Sequence, residues 1–316
     1  MLWSNRRTCP VCGTEDLLVG ASSDQITRES DLRKSFVNQR LDHRPDAMEL
    51  MDLTRFMHGG PGRLLSCPTC GLLTRDEDAT ARYEADVYDR DLMSYLYPRY
   101  LQAFAEKTWY KPLLRDHAEI LEVGSHLGAF LQTAEQWGWR PIGLDIGAST
   151  SDFARSKGMS VKRLSLEDYL PPLRPEAIFI WNCFEQLRDP ASTLHQSHRL
   201  LQPHGLLVVR IPNAEFYQRK RRELEVKSSG RSLKLLGYNN LLGFPYLYGY
   251  TPSALDRLLQ TNGFSPIAAH NSSLLTPPYT NMSRKIRKEW TAVRRETEDS
   301  LALDGPWIEV VSRRMN

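Results

Sequence analysis

The chain predicts an α/β fold, an open and mostly parallel sheet with helices on both faces. Three observations carry that expectation. Apolar runs alternate with helical patterns from Ala118 to Val311, and such alternation returns each strand to the sheet in the same direction. One run, Ala177-Ile178-Phe179-Ile180-Trp181, is apolar on both faces, as a central parallel strand must be. Another, Ile120-Leu121-Glu122-Val123, ends in a glycine turn, Gly124-Ser125-His126-Leu127-Gly128, that opens a helix.

Taken in order, residues 1–80 are bracketed by Cys9-Pro10-Val11-Cys12-Gly13 and Cys67-Pro68-Thr69-Cys70-Gly71, which predicts a small zinc-ribbon-like domain. Each short turn aims two thiolates at one ion, so Cys9, Cys12, Cys67 and Cys70 are the expected ligands of a structural zinc with no open coordination position. A redox dithiol is the alternative. The 54 residues between the pairs exceed ordinary ribbon spacing and imply an insertion, closed by the turn Gly59-Gly60-Pro61-Gly62. Residues 81–115 read as a helical connector or cap over the pocket, rich in tyrosine at positions 83, 88, 95, 97, 100 and 110.

Residues 116–316 carry the alternating pattern. Strands are expected at 118–123, 141–145, 160–164, 177–181, 206–211, 266–269 and 307–311. Phe130, Leu131, Ala134 and Trp137 recur at helical spacing up to Gly138, and a short helix follows at 151–158. Asp189-Pro190 caps a helix bearing Leu194 and Leu201, and Thr251-Pro252 caps one bearing Leu255, Leu258 and Leu259 before Gly263. Residues 214–250 interrupt the pattern after the fifth strand, with Arg219-Lys220-Arg221-Arg222 and an aromatic end, and are the natural place for a lid. A second charged helix is expected at 282–299.

Composition narrows the function. Lys and Arg number 41 against 38 Asp and Glu, so a net charge of +3 gives no global affinity for nucleic acid. The opening Met1–Arg7 has no apolar signal region, and no apolar stretch approaches the roughly 20 residues of a membrane span. The expectation is a cytoplasmic protein with no membrane partner. Its oligomeric state is not legible.

The glycine turn after Val123 and the acidic end of Ile142-Gly143-Leu144-Asp145 together predict a nucleoside pocket, Asp145 accepting from the ribose hydroxyls. A pyrophosphate needs a middle glycine, where this loop has His126. Glu122 disfavours phosphate and suits a cationic amino group. Both points favour S-adenosylmethionine (SAM) over NAD.

The stretch Leu121 to Phe130 resembles the first motif of class I SAM-dependent methyltransferases, and Gly143-Leu144-Asp145-Ile146 resembles their second. Glu185-Gln186-Leu187-Arg188-Asp189-Pro190 is similar to the family's Glu-His-x-x-Asp-Pro element, with Gln186 in place of histidine. Leu200 to Asn213 and Tyr250 to Phe264 match the strand and helix that follow, so the likeness spans about 115–270. It implies a Rossmann-like seven-stranded sheet and a cofactor site of Glu122, Gly124, Ser125, His126, Gly128, Asp145, Ile146, Leu166, Glu167, Asn182 and Cys183. Candidate catalytic groups are Glu185, Gln186 and His126. With its paired cysteines the chain further resembles bacterial sugar and secondary-metabolite methyltransferases, which implies a small-molecule acceptor. The competing readings are an RNA methyltransferase that binds through the zinc module, an inactive SAM- and zinc-binding scaffold motivated by His126 and Gln186, and an NAD oxidoreductase.

Overall fold

The computed structural model describes residues 8–38, 62–76, 90–227, 232, 246–272 and 302–316. Tyr83, Tyr88, most of the turn 59–62 and the helix expected at 282–299 lie outside the described residues. Among those described, the strands form two sheets.

The larger sheet contains β4 (Glu119–Val123), β5 (Arg140–Leu144), β6 (Val161–Lys162), β7 (Ala177–Trp181), β8 (Leu206–Pro212), β10 (Phe264–Ser272) and β11 (Trp307–Arg314), in the order β10-β11-β8-β7-β4-β5-β6. Five strands, β4 to β8, pair in parallel, and β11 inserts antiparallel between β8 and β10. The chain builds outward from β4 to β6 and then returns to β7, so the strand order reverses between β4 and β7. Loops leaving those two neighbours diverge, and the crevice between them is where ligands bind in open α/β sheets.

Helices cover both faces: α2 (Arg90–Ala105), α3 (Ala129–Gln136), α4 (Ala148–Ser156), α5 (Pro190–Leu200) and α7 (Pro252–Thr261). The expected caps form. Asp189 accepts from the Ser192 N–H at 2.9 Å, and Thr251 accepts from the Ala254 N–H at 3.1 Å, each with proline at the next position. The connector is described from Arg90 onward as α2. It buries Leu92, Leu96 and Phe104 against one face of the sheet, with Phe104 5.2 Å from Phe130 and 5.5 Å from Trp181.

Several boundaries differ from the sequence expectation. Helix α4 starts at Ala148, ahead of the expected 151, because Asp145 holds the Gly147 N–H and the Thr150 hydroxyl and so organises the first turn early. The third strand shrinks to two residues, and β10 lengthens to nine through its antiparallel pairing with β11.

The smaller sheet, β1 (Leu18–Ala21), β2 (Leu64–Ser66), β3 (Leu73–Arg75) and β9 (Tyr248–Gly249), with α1 (Ser23–Asn38) following β1, departs most from expectation. Its fourth strand comes from the segment expected to be a lid. The described residues of that segment include α6 (Ala214–Lys227), which carries the basic run, and a buried strand that pairs Thr74 with Tyr248 and Leu73 with Gly249. Alternating aromatics in Tyr246-Leu247-Tyr248-Gly249-Tyr250 are a strand pattern, and here they fill the seam between the sheets. Cys9, Cys67, Cys70 and Leu72 share one apolar cluster with Val123, Ile180 and Ile211 of the larger sheet, so the cysteine module has no core of its own at this point.

Charge is also buried in the fold. Arg210 of β8 and Glu309 of β11 face each other in register, 1% and 2% exposed, with Nε 3.4 Å from Oε1. Lys107 pairs with the same carboxylate, and Tyr110 and Ser272 donate hydroxyls to it at 2.6 Å each. Burial alone would raise the Glu309 pKa, but Lys107 and Arg210 outweigh it and hold the group below its ordinary value. Removing the anion strands two cations in an apolar layer, so Glu309→Leu should lower stability by about 3 kcal/mol. A urea midpoint unchanged from the parent would contradict that.

Candidate functional site

The site begins where β4 ends. Gly124 turns at φ +72°, and its N–H and that of Ser125 both donate to the Leu144 carbonyl, at 2.8 and 2.9 Å. A Cβ at Gly124 would stand 2.8 Å from the Cys183 sulfur, inside contact distance. Glycine is therefore required twice over, for its conformation and for the approach of the β7 end to the β4 end. Gly128, at φ +76°, packs as closely on Ala154 and Met159. Gly143, paired with Glu122 across β4 and β5, leaves room for the Ser125 side chain.

His126 stands in the left-handed region at φ +49°, in place of the missing middle glycine. Its N–H donates to Asp145 Oδ2 at 2.7 Å, and its ring meets Tyr100 edge-on at 5.6 Å. Asp145 Oδ1 accepts from the Gly147 N–H at 2.9 Å and the Thr150 hydroxyl at 2.8 Å. Of the four or so lone-pair positions a carboxylate offers, three are taken within the chain, so one remains for a ligand hydroxyl. The N–H groups of 124, 125, 126 and 128 are all donated internally, so four of the five in this turn are taken before a pyrophosphate could use them.

The buried acids are the other feature. Glu122 is buried with Oε2 unpartnered, and its pKa is pushed well above the ordinary carboxylate range, first by burial and then by the charge of Asp145. Asp145 is raised by burial, against the pull of its three donors. Glu185, in the 3₁₀ turn Phe184–Gln186 beyond β7, is 0% exposed with neither carboxyl oxygen partnered, and burial pushes its pKa up to about 8. Buried polar groups are nearly always satisfied, so carboxyls without partners mark places for a ligand. The Ser125 hydroxyl and the Trp181 indole N–H are likewise buried and unpartnered.

The remaining candidates separate into two groups. Asn182, at φ +54°, accepts from Arg210 through Oδ1, while Gln186 Nε2 donates to the Asn182 carbonyl at 2.7 Å. Gln186 thus braces its own turn and does not act as a base. Cys183 donates to the Val123 carbonyl at 3.2 Å, and burial raises its thiol well above the ordinary range, which favours the neutral thiol. Ile146, 61% exposed, follows directly on Asp145. Leu166 is buried in the apolar cluster that also holds Val123 and Leu144, and the exposed Glu167 accepts from Thr193 at 3.2 Å. Sequence reasoning missed Arg210, Glu309 and Lys107. The signal was a lone charge inside each apolar strand, Val208-Val209-Arg210-Ile211 and Ile308-Glu309-Val310.

Residues 88–269 match the family described as "Methyltransferase domain". The chain belongs to that methyltransferase family. No curated protein matches it by sequence. Among solved structures, a chain of the complex between the Haloferax volcanii Trm112 methyltransferase activator and a methyltransferase is similar at 12% identity and a TM-score of 0.50, over 71% of this chain and 93% of that one. The CcbJ methyltransferase from Streptomyces caelestis is similar at 14% identity and a TM-score of 0.50, over 74% of this chain and all of the other. At these identities the likeness is one of fold. The methyltransferase is SAM-dependent, and the site is compatible with that donor: a buried carboxyl with an unpartnered oxygen, and a turn most of whose N–H groups are already used.

The four cysteines of the methyltransferase stand together, all sulfurs within 4.8 Å of one another, with Cys9 to Cys70 at 3.6 Å and Cys12 to Cys67 at 3.4 Å. Zinc–thiolate bonds of about 2.3 Å in a tetrahedron place sulfurs roughly 3.8 Å apart, so the donor set fits that ion. The Cys9 thiol is lowered to about 5, chiefly by its hydrogen bond with Cys70, so a thiolate is available to a metal. Among the described residues, no helix is long and apolar enough to cross a membrane.

The Glu185 value fixes a pH dependence. A carboxyl that binds its proton more tightly when folded loses stability as pH rises from the unfolded value of 4.5 to about 8, and is level above that. Glu185→Gln cannot ionise, so in thermal melts it should gain on the parent across that window, by up to roughly 4 kcal/mol at the alkaline end. Parallel melting curves would show that Glu185 does not carry the shift.

Proposed function

We propose that the enzyme transfers the methyl group of SAM to a small-molecule acceptor at the crevice between β4 and β7. The carrying observation is the fate of the basic run in α6. Arg219 donates to the Asp304 carbonyl at 2.7 Å, Lys220 pairs with Glu223 at 3.0 Å, and Arg221 pairs with Glu29 at 2.6 Å. With three of its four charges tied to neighbours and Arg222 exposed, the run makes a poor phosphate-tracking strip, which favours a small acceptor over RNA.

The sulfonium of SAM, when bound, supplies the activated methyl carbon. The residues around it then divide the work of binding it. Gly124 and Gly128 give the main chain room, Asp145 offers its remaining lone pair to a ribose hydroxyl, and Glu122 faces the cationic amino-acid end. Ile146 and Leu166 supply apolar contact for the base, and Glu167 remains at the edge. Asn182 and Cys183, at the end of β7, would lie beside the methyl donor, next to the buried aromatic pair Trp181 and Phe104. Aligning a nucleophile with an activated carbon in a dry site accounts for much of the acceleration in such transfers. Glu185 is the group best placed to accept a hydrogen bond, and at need a proton, from an acceptor N–H or O–H. In the amino-terminal module, Cys9, Cys12, Cys67 and Cys70 hold a zinc in a purely structural role.

Calorimetry with SAM and its demethylated product tests the cofactor half. The parent should bind both, and Asp145→Ala should weaken binding at least about tenfold, since it removes a ligand contact and releases the His126 N–H. Equal affinity in the variant would place the ribose elsewhere. Incubation with methyl-labelled SAM should label a metabolite extract and not RNA. Label recovered in RNA would overturn the small-molecule reading, and label in neither would favour an inactive scaffold. Elemental analysis should find about one zinc per chain, falling on Cys67→Ser; equal zinc in both would sink the four-thiolate site.

A further inference from the structure

We propose that Arg75, a residue of the cysteine module, is a positioning residue that aims the Glu185 carboxyl through the main chain of Tyr246 and Leu247. The inference rests on the reading of Glu185 as the group that meets the acceptor.

A short ladder of hydrogen bonds joins the two. The Arg75 Nε donates to the Tyr246 carbonyl at 2.8 Å, and its backbone N–H donates to the Leu247 carbonyl at 2.9 Å. The Leu247 N–H in turn donates to the Glu185 carbonyl at 2.9 Å. One residue thus grips consecutive peptide units of a segment whose next polar group holds Glu185. The grip continues on either side. Tyr248 donates its hydroxyl to the Arg188 carbonyl at 3.0 Å, and Thr251 donates to the Cys70 carbonyl at 2.8 Å, so the seam is fastened to the cysteine turn at one end and to the turn after β7 at the other.

Two features indicate that this grip is more than packing. Arg75 is among the largest fully buried side chains, and burial lowers its pKa to about 10. A buried guanidinium is costly to retain, and a neutral side chain would fill the volume at lower cost. What the guanidinium adds is a charged, planar donor in a fixed direction. Glu185, for its part, has no side-chain partner to aim it. Its direction depends on its main chain, which is held by Leu247 on one side and by the Gln186 to Asn182 brace on the other. The charged and titratable groups acting on it are Arg210 and Cys183.

The test compares Arg75→Met, which keeps the stem and removes the donor, with Arg75→Lys, which restores a cationic donor, in the full-length protein. Zinc per chain and affinity for the demethylated cofactor product should match the parent in both. The Glu185 carboxyl, followed by carbon NMR on protein labelled at glutamate, should titrate about one pH unit or more lower in Arg75→Met as water reaches it, with return towards the parent in Arg75→Lys. Amide exchange at 184–188 should quicken about tenfold or more in Arg75→Met alone. An unchanged titration and exchange in Arg75→Met, with zinc and cofactor affinity intact, would overturn the proposal. If Arg75→Met loses zinc or fails to fold, Tyr248→Phe, which removes one hydroxyl bond from the same seam, decides in its place: a shifted Glu185 titration supports the coupling and an unshifted one overturns it. Failure of the underlying reading looks different. Glu185→Gln that still transfers labelled methyl at the parent rate would remove Glu185 from the acceptor site while leaving its dependence on Arg75 measurable.

Discussion

The upper edge of the large sheet depends on the missing side chain at Gly124. Because nothing projects there, the end of β7 can lie against the end of β4, and Cys183 fills the gap with its thiol. That contact fixes where Asn182 and Glu185 emerge relative to the turn that leads to His126 and Asp145. A larger residue would push the two strand ends apart at the point where the sheet reverses its winding. The crevice would then lose its floor. The fold and the site therefore share one steric condition.

Around that point the protein accumulates acid without neutralising all of it. Asp145 is satisfied by donors from three successive stretches of chain, and it acts as much to shape the turn as to meet a ligand. Glu309 is neutralised by Lys107 and Arg210. Glu122 and Glu185 are left as carboxyls with unpartnered oxygens, and burial keeps both protonated at higher pH than is usual. A protonated carboxyl can donate as well as accept, and a carboxylate beside a sulfonium gains a counter-ion. Charge stored in this way is dear to the folded state, and it persists where binding or chemistry uses it.

How far the sequence discloses this arrangement depends on the range of the interactions involved. The run from Ile120 to Asp145 was legible because strand, turn and helix there are set by neighbours a few residues apart, and Asp189 and Thr251 announced their helices for the same reason. The cysteine pairs were legible because thiolate chemistry admits few other uses. The seam strand at Tyr248 was not, since its alternating aromatics do not say which strand they pair with and their partner lies on β3. Nor was the pairing of Arg210 with Glu309, which is settled by a register between β8 and β11 that only the assembled sheet defines. The single acceptor position left on Asp145 was equally hidden, because it depends on which main-chain donors the turn directs inward.

The shared strand has a consequence for how this chain reaches its structure. β3 finds its partner β9 more than 170 residues downstream, so the amino-terminal sheet stays one strand short until most of the polypeptide exists. During synthesis the cysteine turns can gather an ion early, but the edge of β3 remains open and able to pair with a foreign strand. Closure of that edge comes late, with a large loop entropy, and it completes the smaller sheet only when the strands on either side of β9 in sequence, β8 and β10, are also in hand. An excised amino-terminal segment would carry the same open edge permanently. The two halves are, in this sense, a single cooperative unit of folding whose boundary does not follow the order of the sequence.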